Sequence, residues 1–339
     1  SSDSGIFAIR DRVMSKINPV RNLISNGAPS GKKGVVENLD ILNDYLDHIL
    51  SFVDISAIKP TKIVAHTHFG VASLVVKELA KRLPLEIIPL DFEIDGSFPK
   101  GAPNPLLPER REETTALVKS SGVDFGVAWD GDADRCFFWD GEGNFIEGYY
   151  IGVLLAEILI KKSARRSEKV IRCPRLGWLF EKIVKNAGGI SLESRVGHSF
   201  IKEKMRSEDA LFAEEMSGHY YFRENYYADN GMIPFLLILE LIHKTRKTLG
   251  EIIKPYQEQM AISGEFNFEI ADPKSAILKV ESFYGEQGKK SKLDGLTIEF
   301  DDWQFNIRPS NTEPLVRLNI EAVSQNLANE KIEEISNYF

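Results

Sequence analysis

Cysteine is scarce: 339 residues hold two, Cys136 and Cys173, set in different segments. That excludes a disulfide framework and suits a reducing, cytoplasmic setting. Long hydrophobic runs are also missing. The longest candidate, Ile233-Pro234-Phe235-Leu236-Leu237-Ile238-Leu239, is interrupted by Glu240 and falls well short of the ~20 apolar residues of a membrane span. The opening residues, Ser1-Ser2-Asp3-Ser4-Gly5, lack an initiator Met and an apolar core, so no secretory leader is read there. Basic excess is lacking too. The net charge is −8, which argues against general nucleic-acid binding but leaves room for local Arg and Lys groups to receive an anion in a cleft. With 43% hydrophobic and 27% charged residues, the composition is that of a globular protein long enough for two to three domains.

Residues 5–17 carry helical spacing (Ile6, Ile9, Val13, Ile17), and the stretch from Pro19 to Gly34 reads as a linker. An amphipathic helix is expected over Leu39–Phe52. Strand-like Lys62–Ala65 and Leu85–Leu90 flank a helix around Leu74–Ala80, and a helix near 112–120 precedes the apolar run Val123–Trp129. This alternation is an α/β layer with ligands at the carboxyl ends of strands. The rhythm restarts with helices at 152–161, 179–186, 200–206 and 232–243 and strands near 170–173, 191–195 and 211–213. From about Ile252 the texture alternates, as in Gly264–Ile270 and Leu296–Phe300, and a helix is expected at 330–338. The fold class expected is therefore two consecutive α/β mixed-sheet domains followed by a C-terminal α+β domain. The divisions are 1–34, 35–145, 146–252 and 253–339.

Asp130-Gly131-Asp132-Ala133-Asp134-Arg135 follows the buried-strand run. Carboxylates at alternate positions converge only around something strongly positive, since each repels the others and resists desolvation. Mg²⁺ answers that need with oxygen ligands and open positions for a phosphate. An EF-hand would want Gly at the sixth position and Glu at the twelfth, where Arg135 and Gly141 stand. A phosphotransferase with Asp130 as nucleophile and a solvated acidic turn remain open readings.

Glu214-Glu215-Met216-Ser217-Gly218-His219 lies between apolar stretches. In extended backbone Glu215, Ser217 and His219 would share a face and suit the vicinal hydroxyls of a sugar; a polar hairpin turning at Gly218 is the alternative. Arg308-Pro309-Ser310-Asn311-Thr312-Glu313-Pro314 offers a bidentate cation, hydroxyls and an amide for a phosphate. A capping box at Ser310–Glu313 has no helix to cap, because Val316, Leu318 and Ile320 alternate as in a strand. His198, in Gly197-His198-Ser199, is either an acid/base or a structural histidine. His66 and His68 stand two apart without an identifiable third ligand and are read as structural.

Together, in this order, the three loops resemble those of the α-D-phosphohexomutase family, and within it the bacterial phosphomannomutase branch. Further matching stretches are Phe98-Pro99, Pro103–Glu109, Cys173–Trp178 and Asp229–Pro234, so the resemblance spans nearly the whole chain. It implies four domains around a cleft and Mg²⁺-dependent movement of a phosphoryl group between O6 and O1 of a hexose, through a hexose 1,6-bisphosphate. The substrates implied are mannose 6-phosphate and mannose 1-phosphate, with glucose phosphates as further candidates. It further implies metal on Asp130, Asp132 and Asp134, with Arg135 beside the reacting group and His198 lining the cleft. Glu215, Ser217 and His219 would meet sugar hydroxyls, and Arg308, Ser310, Asn311 and Thr312 the phosphate that is not reacting. Hexose phosphates are the partners expected, without nucleic acid or membrane, on a monomer or weak dimer.

Three departures stand out. The sugar loop normally begins with Gly, where this chain has Glu214. Many relatives carry a cleft Lys near Arg172 or Pro174, and none is evident here. The family's nucleophile is a serine in a Thr-Ala-Ser-His-Asn-Pro type loop, whereas no serine of this chain precedes a histidine. The expectation is a chain lacking the phosphoserine domain and inactive as given. The alternatives are a non-catalytic sugar-phosphate binding protein and the Asp130 phosphotransferase.

Overall fold

A computed structural model describes residues 5–25, 35–310 and 314–339. Residues 1–43 and 44–339 form two compact units. The first contains α1 (Ile6–Ser25), which runs on through Pro19 where a linker was expected. Proline forfeits one backbone donor there.

The second unit opens within α2 (Leu42–Leu50) and builds three sheets in succession. Sheet one takes β1 (Thr61–His66), β2 (Leu85–Leu90), β3 (Phe125–Trp129), β4 (Cys136–Asp140) and β5 (Phe145–Ile146), with α3 (Ala72–Arg82) and α4 (Glu112–Ser121) between strands. Its order is β2-β1-β3-β4-β5, with β1 parallel to both neighbours and β4 and β5 antiparallel. Every residue of β3 is buried, as its unbroken apolar run requires of a central strand. The acidic hexapeptide is the hairpin connection from β3 to β4, closing at the Trp129–Cys136 pair.

Sheet two is ordered β10-β9-β8-β6-β7. Its chain order is α5 (Gly148–Lys162), β6 (Lys169–Arg172), α6 (Trp178–Asn186), β7 (Ile190–Glu193), α7 (His198–Glu208), β8 (Phe212–Glu214), β9 (Tyr220–Phe222) and β10 (Ala228–Asp229). The helix α8 (Met232–Thr245) follows, buried on every face from Met232 to Glu240, and then α9 (Leu249–Gln257). The antiparallel β8–β9 hairpin carries the Glu-Met-Ser-Gly-His segment at its turn.

Sheet three is antiparallel throughout, in the order β11-β15-β14-β13-β12. Its members are β11 (Ala261–Glu269), α10 (Pro273–Tyr284), β12 (Lys289–Ser291), β13 (Leu296–Glu299), β14 (Trp303–Pro309), β15 (Leu315–Ala322) and α11 (Gln325–Ser336). The alternation at Val316, Leu318 and Ile320 does point inward, into a core with Trp303, Phe305 and Tyr284. Two helices escaped the sequence reading. One is α9, whose capping box at Thr248 and Glu251 is fully formed; the other is α10, begun by Asp272 as N-cap and Pro273.

Candidate active site

The acidic loop is fixed before any ligand enters. Ala133 takes a left-handed backbone (φ +62°), and the loop is pinned by Gly231 N–H on the Ala133 carbonyl (3.1 Å) and Val71 N–H on that of Gly131 (3.2 Å). A Cβ on Gly231 would lie 2.6 Å from the Ala133 oxygen, so only glycine lets the Asp229–Gly231 segment of sheet two lie this close. Trp129 adds a third tie, its Nε1 donating to the Gly231 carbonyl at 2.8 Å.

Asp130, Asp132 and Asp134 each present an oxygen within 4.8 Å of the others. Asp130 is buried and receives Arg135 Nε (2.6 Å) and Arg135 N (3.2 Å); the same guanidinium donates to Asn104 Oδ1 at 2.9 Å. Burial lifts the Asp130 carboxyl to about 6 despite Arg135, and the nearby Asp134 charge adds to the rise. Burial also works to raise Asp134, but hydrogen bonding and the charge of His219 outweigh it and hold that carboxyl low. An oxygen-only set with surplus negative charge fits a hard divalent cation.

The Glu215–His219 segment is a turn, not the extended strand that motivated its reading: Gly218 N–H reaches the Glu215 carbonyl (3.0 Å), with Gly218 at φ +91°. Its three polar side chains nevertheless converge. Ser217 Oγ lies 2.8 Å from His219 Nδ1, Glu215 Oε2 lies 3.4 Å from it, and His219 Nε2 faces Asp134 at 3.4 Å. Tyr221 Oη and Gly197 N donate to Glu215 (2.6 and 3.1 Å), locking its carboxylate. The sugar and acidic loops are thus joined, with Cys136 N–H on the Gly218 carbonyl (3.2 Å) beneath.

His198 begins α7 instead of lying in a loop, and packs edge-on to His219 with ring centroids 4.6 Å apart. Its Nδ1 is 3.0 Å from Asp229, which Lys202 also grips at 2.7 Å. The Asp229 hydrogen bond and charge raise the imidazole above its usual value, burial working against them. Asp229 and Lys202 belong to this surface and were not predicted. Asp229 closes β10 beside the Asn-Gly that begins the α8 approach, and that punctuation was the available signal.

Glu214 points away from the site. Fully buried, it accepts from Cys173 N (3.3 Å) while its Oε2 has no hydrogen-bond partner among the described residues. Burial pushes its carboxyl up to about 8, so it is neutral at pH 7. The folded carboxyl keeps its proton up to about pH 8, whereas the unfolded one loses it near the ordinary 4.5. Its contribution to stability is therefore whole below pH 4.5 and is lost as pH rises to about 8, at about 1.4 kcal/mol per pH unit. Glu214→Gln mimics the protonated group and removes that slope. In urea melts across this range the variant's stability relative to wild type is expected to climb with pH and then level off. A constant offset would show that the carboxyl is ionised in the fold.

Arg308 lies at the end of β14, and its Nη2 donates to Glu265 at 2.8 Å. Ser310 follows it, its N–H on the Leu315 carbonyl (2.9 Å), while Asn311 and Thr312 lie outside the described residues. Arg172, where a lysine was sought, is engaged by Glu181 (2.6 Å) and Glu193 (3.0 Å). His66 and His68 stack at 3.4 Å, but they face different partners. His66 meets Thr114 and Asp91, and His68 meets the Trp129 carbonyl. A third group near His66 does exist: Asp91 and Glu113 reach within 4.8 Å of it, and Lys100 already bridges those two carboxylates at 2.8 Å each.

Two mixed α/β sheets followed by an antiparallel α+β sheet have the layer architecture of the phosphohexomutases, and comparison with known proteins bears that fold out. Family models match domain II of phosphoglucomutase/phosphomannomutase over residues 43–143, domain III over 147–259 and the C-terminal domain over 265–337. The chain is 46% identical to "Phosphohexose mutases" of Xanthomonas campestris pv. campestris, over 99% of its own length and 73% of the relative's. It is 45% identical to a phosphomannomutase of Vibrio cholerae, over 90% and 67%. A solved phosphoglucomutase/phosphomannomutase family protein from Burkholderia thailandensis superposes with TM-score 0.79 at 25% identity, covering 96% of this chain and 68% of that one. The chain belongs to the α-D-phosphohexomutase family, close to its bacterial phosphomannomutases. It is an isomerase of that class.

Proposed function

We propose that this chain carries the metal, sugar and remote-phosphate sites of a phosphomannomutase that interconverts mannose 6-phosphate and mannose 1-phosphate through a bisphosphorylated hexose. One observation carries the reading: Asp134 belongs both to the Asp130–Asp132–Asp134 group and to a group with His198, His219 and Asp229, and His219 in turn lies against Glu215 and Ser217. Mg²⁺ suits the three aspartates and, when bound, neutralises charge on the transferring phosphoryl oxygens. The mixed group of Asp134, His198, His219 and Asp229 would suit a softer ion. His219 is already engaged by Ser217, however, and His198 by Asp229, which favours hydroxyl recognition.

Arg135, held by Asp130 and Asn104, is placed to stabilise the phosphoryl group in flight. Glu215, Ser217 and His219 orient the ring, and Arg308 with Ser310, Asn311 and Thr312 holds the other phosphate. Catalysis then rests on positioning and charge neutralisation. The serine that carries the phosphoryl group lies, in this proposal, outside these 339 residues. The test is a coupled assay of mannose 1-phosphate formation with Mg²⁺, on the 339-residue chain and on a gene product extended upstream through a serine loop. Turnover is expected from the longer protein alone. Robust turnover by the shorter chain would overturn the serine proposal and return Asp130 as nucleophile.

A further inference from the structure

Arg308 has company. Directly opposite it across β14 and β15 stands Arg317, and like charges so opposed destabilise a sheet. Arg175, from the loop after β6, adds a third guanidinium from sheet two. All three meet one carboxylate. Glu265 Oε2 is 2.8 Å from Arg308 Nη2 and 3.5 Å from Arg175 Nη1, and its Oε1 is 3.3 Å from Arg317 Nη1. Asp294 lies 3.5 Å from Arg175 Nε, so three cations face two anions and the cluster is net positive.

The donors outnumber the acceptors as well. The buried Nε atoms of Arg175, Arg308 and Arg317 all lack a hydrogen-bond partner among the described residues. Buried charged donors left unmade are costly, and Glu265 and Asp294 together do not satisfy three forks. Asp294 Oδ2, 3.5 Å from Arg175 Nε, makes no hydrogen bond among the described residues, and nothing among them meets Nε of Arg308 or Arg317. A phosphate monoester dianion brings three oxygens and twice the charge, which matches both deficits. Arg317 and Glu265 are only partly buried, giving the cluster a solvent-facing edge.

We propose that Glu265 is a resident anion occupying the seat of the non-reacting substrate phosphate. When a phosphate displaces it, Arg175 and Arg317 join Arg308 in the grip. The inference rests on the reading of Arg308 as a phosphate ligand. Because Arg175 comes from sheet two and Arg308 from sheet three, the seat is completed by two domains. Glu265 acts as a positioning residue, keeping three guanidiniums together while no phosphate is present.

Calorimetric titration of inorganic phosphate and of mannose 1-phosphate into the chain tests this. Glu265→Gln, with the competing charge removed, is expected to bind about tenfold tighter than wild type, and Arg175→Gln and Arg317→Gln about tenfold weaker. Melting temperatures accompany each titration. If Glu265→Gln does not fold, Glu265→Asp replaces it: the shortened carboxylate reaches the arginines less well, so tighter binding than wild type is again expected. Equal or weaker binding in a folded Glu265 variant overturns the proposal, as does unchanged binding in both Arg175→Gln and Arg317→Gln. Arg308→Gln separates the two levels. Unchanged phosphate binding in that variant refutes the phosphate reading itself. Weakened binding there, with no effect at Arg175 and Arg317, refutes only the shared seat.

Discussion

Glu321→Ala is expected to lower folding stability by about 4–5 kcal/mol, the largest loss foreseen for any single side chain here. Glu321 is fully buried on β15 and accepts from Gly177 N (2.9 Å), Trp178 N (3.0 Å), Leu179 N (3.0 Å), Tyr149 Oη (2.7 Å) and Gln304 Nε2. Three of those donors are the free N–H groups at the start of α6, which have no partner within their own helix. The helix dipole there favours an anion as well. Alanine leaves all five donors facing a cavity, and each buried unmet donor costs about 1–3 kcal/mol. Water entering the cavity keeps the total below the sum. Glu321→Gln retains one acceptor oxygen but turns an amide toward donors, so about half the loss is expected. Urea unfolding followed by tryptophan fluorescence and by circular dichroism measures both. A loss under about 1 kcal/mol for the alanine variant would mean that the α6 N-terminus finds other acceptors.

What the sequence disclosed, and what it hid, divides along the range of the interactions. The β3 run and the acid loop after it were legible because periodicity and residue type are local, and both lie within a dozen residues. The strand nature of Leu315–Ala322 was legible for the same reason, from alternation alone. Glu321 gave no such signal: its partners Gly177–Leu179 and Tyr149 are far away in sequence, and only the docking of sheet three on α6 joins them. Arg175 and Glu265 were missed alike, each being an ordinary charged residue until the fold brings them together.

The sugar loop is a subtler case. Glu215, Ser217 and His219 were grouped on the premise of an extended backbone; they do converge, but because the chain turns at Gly218 and Tyr221 holds Glu215 in place. Glu214 stands where the sugar loop of the family normally begins with glycine. The turn accommodates it by sending the side chain inward, against Gly152 and the Cys173 N–H. The α10 helix was hidden by weak patterning, although Asp272-Pro273 offered a cap that could have been read.

In a catalytically complete form of the protein, Asp130→Asn is expected to reduce mutase turnover by about 10³-fold. Two effects combine. The aspartate is one of three carboxylates proposed to hold Mg²⁺, and a neutral amide is a poorer ligand for a hard cation. It is also the buried anchor of Arg135, accepting from both its Nε and its backbone N–H. Asn104→Ala dissects the pair, since it removes the Nη1 acceptor and leaves the acid triad whole. About a tenfold loss is expected there, the size of one charge-assisted hydrogen bond. Added Mg²⁺ should raise the melting temperature of wild type and of Asn104→Ala, because a ligand that binds only the folded state stabilises it. The Asp130→Asn protein should show little of that rise. The two readouts are independent, one kinetic and one thermodynamic. A variant that keeps more than a tenth of wild-type turnover and still responds fully to Mg²⁺ would remove Asp130 from the metal site and leave it as the structural holder of Arg135.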